Sequence, residues 1–85
     1  MAMSREEAQK FVDALKQGRR FSTRFQEEEW SLSFRKDGKF KRWTHREDPY
    51  DPSKSDTSTE IMSEQEVIEL MMKWYSYDVM MSKTH

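Results

Sequence analysis

Trp30, Leu32 and Phe34 alternate with Ser31, Ser33 and Arg35, and the run leads straight into Asp37-Gly38. A period of two marks a strand with one buried face, and Asp-Gly between two such runs marks a hairpin. The register of that hairpin decides which residues reach solvent. A two-residue loop would set Arg35 opposite Phe40. A three-residue loop, with Gly38 left-handed in a bulge, would set Phe34 opposite Phe40. Only the second puts both phenylalanines on the core face. It predicts that Phe40 points inward and that Lys39, Lys41, Trp43 and His45 point outward.

The flanking segments extend this pattern. Ser4 and Glu7 form a capping box ahead of Ala8, Phe11, Val12 and Leu15, which predicts a helix over residues 5–17 closed by Gly18. Residues 20–26 alternate, with Phe21, Thr23 and Phe25 on one side and Arg20, Ser22 and Arg24 on the other. Glu27, Glu28 and Glu29 are expected to form a polar turn before the strand at 30–35. Residues 46–56, with Pro49 and Pro52, read as a mobile loop. A short fourth strand is expected over 57–62. Ser63 and Glu66 make a second capping box for a final helix over 64–81.

The resulting order is α-β-β-β-(β)-α. It predicts an α+β fold in which a small antiparallel sheet of three or four strands carries two helices on one face and leaves the other open. With 85 residues the chain is expected to be a single domain without room for a deep substrate cavity. Five Phe, three Trp, three Tyr and seven Met argue against a disordered chain. The absence of cysteine excludes disulfides and fits a reducing compartment. Arg5, Glu6 and Glu7 interrupt any signal-peptide pattern, and no apolar run approaches membrane length, so a cytoplasmic protein is expected.

In element order and length the chain resembles the double-stranded-RNA-binding domain. In that family the final helix opens on lysines that grip phosphates. Here Ser63-Glu64-Gln65-Glu66 stands in that place and would repel them. The resemblance is therefore one of topology and carries no functional expectation.

The net charge of −1 hides an asymmetry. Residues 16–46 hold ten Lys/Arg against four Asp/Glu, and residues 47–85 hold three against nine. The two halves could simply attract each other in the fold, or the basic half could meet an anionic partner. In the chosen register Arg20, Arg24, Arg35, Lys39 and Lys41 gather on the open sheet face around Trp43, with no acid among them. Such a face suits an acidic protein surface or a nucleic-acid backbone with an unstacked base. The second candidate surface is the final helix. Ile68, Met72, Tyr75 and Val79 fall at i, i+4, i+7 and i+11 and would form a ridge for a second copy or another protein.

Catalytic chemistry is poorly provided for. His45 is the only internal histidine, and no nucleophile elbow accompanies it. His45, Glu47, Asp48 and Asp51 match no metal-loop spacing. Both glycines are used at a helix end or a turn, which leaves none for a phosphate loop. The expectation is a non-catalytic protein-binding module, an inhibitor or adaptor that occludes a surface on a larger protein or nucleoprotein complex. The alternative is a nucleic-acid-binding domain using the basic face. No cofactor, metal, membrane or small-molecule substrate is expected.

Overall fold

A computed structural model describes residues 2–85, apart from the side chain of Phe25, so the expectation for that ring lies outside the described residues. The elements are α1 (Arg5–Lys16), β1 (Phe21–Phe25), β2 (Glu28–Phe34), β3 (Phe40–Arg46), a 3-10 turn (Pro52–Lys54), β4 (Asp56–Met62), α2 (Glu64–Trp74) and α3 (Tyr77–Ser82). The four strands form one antiparallel sheet in the order β1-β2-β3-β4, and the fold is α+β. Both capping boxes form: Ser4 with Glu7 at the start of α1, and Ser63 with Glu66 at the start of α2.

The central hairpin adopts the bulged register. Phe34 stands opposite Phe40, and the Arg35 N–H donates to the Lys39 carbonyl at 2.8 Å. Gly38 has φ of 84°, a left-handed conformation that costs glycine little and other residues more. Phe40 is fully buried. The core unites Phe11, Val12 and Leu15 of α1 with Phe21, Trp30, Leu32 and Phe40 of the sheet and Val67, Ile68 and Met71 of α2. The Phe21 ring meets Trp30 at 4.8 Å and Phe11 edge-on at 6.0 Å. Such contacts add to the burial term.

Two expectations are corrected. The first concerns the three glutamates, because the turn between β1 and β2 is only Gln26 and Glu27. Glu28 and Glu29 belong to β2, where they pair with Phe25 and Arg24 on one side and Arg46 and His45 on the other. Opposite charges lie across both residues: Arg46 bonds Glu28 at 3.0 Å, and Arg24 faces Glu29. This favours continuing the ladder over ending it.

The second concerns the final helix, which does not run to Met81. It breaks at Tyr75, whose φ of −120° and ψ of 140° are extended. Trp74, Tyr75, Ser76 and Tyr77 are four consecutive residues of middling helix propensity. Tertiary contacts outweigh what remains: the Tyr75 carbonyl accepts from the Met3 N–H at 2.8 Å, and its ring packs on Trp30 at 5.4 Å. The ridge of Ile68, Met72, Tyr75 and Val79 therefore does not form. Ile68 is 3% exposed and belongs to the core, Met72 and Tyr75 pack against it, and Val79 is 52% exposed on the separate α3.

The break also redirects the rest of the chain. Met80 enters the core, and Thr84 is buried and bridges Phe21. Residues 83–85 lie along the edge of β1. Arg20 and His85 exchange backbone hydrogen bonds at 2.9 and 2.8 Å. His85 is held in this ladder.

Candidate functional site

Helices cover the inner face of β1, of β2 and of the Phe40–Met62 end of β3 and β4, and leave the outer face open. Pairing and alternation arrange the outer side chains in rows across the strands. Ser22, Ser31, Trp43 and Thr59 make one row. Ser33, Lys41 and Ile61 make the next, on the hairpin side, with Arg20 at its β1 end. Arg24, Glu29, His45 and Thr57 make the third, on the opposite side.

The small residues of β2 open a groove along this face. It is lined by Arg20 and Ser22 on one side, Lys41 and Trp43 on the other, and Ser31 and Ser33 along the floor. Its walls stand on strands two spacings apart, about 10 Å. Hydroxyls on the floor can donate or accept, and the two cations can each meet an anion. Neither Arg20 nor Lys41 has an ion-pair partner within 4.0 Å among the described residues. Trp43 is half-buried and stacks on His45 with ring centres 5.9 Å apart.

Other members of the expected basic face are differently placed. Arg35 and Lys39 lie at the hairpin, beyond the end of the groove. Arg35 pairs with Asp37 at 3.1 Å. The Lys39 amide donates to the Asp37 carboxylate at 3.1 Å and, with Arg35 beside it, holds that carboxyl below its ordinary range. Arg24 is paired with Glu47 at 3.5 Å. The expectation that no acid falls on the face is corrected by Glu29, which the longer β2 carries there between Arg24 and His45. The face is thus basic at the hairpin end and mixed in sign at the other.

The acids near His45 do not gather for a metal. His45 accepts or donates at 2.8 Å with the Thr57 hydroxyl and lies 3.6 Å from Glu47. Asp48 accepts from the Tyr50 and Asp51 amides, and Asp51 caps the 3-10 turn through Ser53. No metal-holding group of three or more such residues occurs among the described residues. A second concavity lies where β2 and β3 run past the helices, lined by Gln26, Glu28, Trp30, Arg46 and Pro49. Glu28 and Arg46 satisfy each other there. No helix among the described residues is long and apolar enough to cross a membrane.

No family model matches this chain, and neither does any curated protein or solved structure.

Proposed function

We propose that the chain is a non-catalytic protein-binding module of the cytoplasm, an inhibitor or adaptor that lays its outer sheet face on an acidic surface of a larger protein or nucleoprotein assembly. The observation that carries this reading is the serine-floored groove between unpaired Arg20 and Lys41 with Trp43 in its wall. Tryptophan and arginine are among the residue types that carry most binding energy at protein interfaces, and Lys41 adds a second positive charge beside them. The sign pattern favours protein over nucleic acid. A nucleic-acid strand carries a charge at every step and is best met by a surface basic along its length. Here Glu29 and Glu47 stand at one end of the face. A protein surface can match such a gradient.

The test is capture from an extract of the source organism with the immobilised chain, with and without nuclease. The expected result is a retained protein that survives nuclease and is lost with the double variant Arg20→Glu, Lys41→Glu, while that variant keeps its circular dichroism spectrum. Retention abolished by nuclease would move the reading to nucleic acid. Retention unchanged in the double variant would remove the outer face from function.

A further inference from the structure

We propose that β4 is the seam of a homodimer, in which it pairs antiparallel with β4 of a second copy about a twofold axis through Thr59. The starting point is the ladder. Arg35 bonds Lys39 at one end of the β2–β3 pair, and the Glu47 N–H donates to the Glu27 carbonyl at 2.8 Å at the other. Hydrogen-bonded pairs alternate along an antiparallel ladder. Lys41, Trp43 and His45 therefore direct their backbone groups to β2, and Phe40, Arg42, Thr44 and Arg46 direct theirs to β4. Their β4 partners are Met62, Glu60, Ser58 and Asp56. The N–H and C=O groups of Thr57, Thr59 and Ile61 point away from the sheet.

Nothing among the described residues meets those groups. β4 is the last strand of the sheet, and its backbone makes no hydrogen bond to any loop or cap. It runs seven residues with no proline, lysine or bulge, the devices that commonly blunt an exposed edge. Its two acids lie on the inner face, where Arg42 stands opposite Glu60 and Arg46 opposite Asp56. Neither acid has an ion-pair partner within 4.0 Å among the described residues, but each has a cationic residue beside it across the ladder.

Charge and the length of pairing together select the register, since centring on Thr57 or Ile61 would pair only three of the seven residues of β4 with the same strand. A twofold axis normal to the sheet keeps the outer faces together, so only registers centred on a residue are available. Centring on Ser58 sets Glu60 against the partner's Asp56. Centring on Glu60 sets that carboxylate against itself. Centring on Thr59 sets Thr57 against the partner's Ile61, Thr59 against itself, Ser58 against the partner's Glu60 and Asp56 against the partner's Met62. All seven residues of β4 then pair with no like charges directly opposite, and every outer-face pair is β-branched. The strand is complementary to itself in one register, which is the property an isologous interface needs. Two four-stranded sheets become one, with a serine groove on each half.

The absence of cysteine makes the test clean. Ser58→Cys, Thr59→Cys and Glu60→Cys are made singly and exposed to a mild oxidant. At the axis the two Cα atoms would stand about 5.5 Å apart, within disulfide reach. At either neighbour they would lie more than about 7 Å apart, outside it. The expected result is a disulfide-linked dimer for Thr59→Cys alone. Equal cross-linking at all three sites, or a maximum at Ser58→Cys or Glu60→Cys, overturns the proposal. So does a wild-type chain that sediments as a monomer at high micromolar concentration. Thr59→Lys places like charges opposite each other on an exposed position. It should raise the dimer dissociation constant by about tenfold or more at low salt without altering the fold. A dimer indifferent to that change overturns the proposal as well.

Discussion

β1 and β4 bound the same sheet and are held by different forces. β1 carries Phe21, which is fully buried between Phe11 and Trp30, and its edge is closed at that end by residues 83–85. β4 has six exposed residues of seven, with only Met62 in the core. Its ladder to β3 is as long as that of β2 to β3, yet it contributes almost no apolar burial. Strand pairing and strand packing are thus separable here. Net hydrogen-bond energies are modest, whereas a buried aromatic contributes several times more. In the single chain the covered edge holds more of the apolar burial, and β4, until a second copy pairs with it, is where the chain can give locally.

The largest effect that could break this comparison is at Phe21. Phe21→Ala should lower unfolding free energy by about 3–5 kcal/mol, since it opens a cavity under α1. Ile61→Ala on β4, where the side chain is 41% exposed, should cost about 1 kcal/mol or less. Urea denaturation of the two variants measures both. Similar losses at the two positions would show that β4 is packed as firmly as β1.

Gly38 lies at the hairpin joining the covered half of the sheet to the open half. Its φ of 84° is strained for any β-branched residue, although a Cβ there would meet no atom within 4 Å. Gly38→Val should therefore cost about 1–3 kcal/mol from backbone strain alone. An unchanged denaturation midpoint would mean that the turn can relax, and with it the register that points Lys41 and Trp43 outward.

The sequence made some of this legible and hid the rest for physical reasons. Capping boxes and the Asp37-Gly38 bulge are local devices, and they placed both helix starts, the Phe34–Phe40 register and the outward course of Lys41 and Trp43. The wrong boundaries were decided non-locally. Glu28 and Glu29 look like a turn until Arg46 and His45 arrive across the ladder from 16 or more residues away. The helix break at Tyr75 was visible in part, as a run of middling helix formers. What settles it is a Met3 amide and a Trp30 ring that no periodicity could bring there. The candidate face suffered in the same way. Alternation could assign Arg24 to the outer side, but only the fold brings Glu47 to within 3.5 Å of it. The unpaired state of Arg20 and Lys41 is likewise a property of the folded neighbourhood, so the useful part of the basic face could not be separated from the rest by counting charges.

The smallest expected effect is at Thr57, and it sharpens the comparison most. The Thr57 hydroxyl meets His45 Nδ1 at 2.8 Å on the outer face, one of the few side-chain links between β3 and β4. Thr57→Val removes the hydroxyl and keeps the branched shape that suits a strand. Both partners are within reach of water, so neither is left without a substitute bond, and global stability should fall by no more than about 1 kcal/mol. The local consequence should be plainer than the global one. If β4 opens on its own, the amides of Ser58 and Glu60 that donate to β3 should exchange faster in the variant. The amides of β1 and β2, which open only with the core, should keep their wild-type rates within the small global change. Amide exchange followed residue by residue, at a dilution where the chain is a monomer, distinguishes the two. Acceleration spread evenly over the sheet would mean that the open edge and the covered edge unfold as one unit, despite the difference in what covers them.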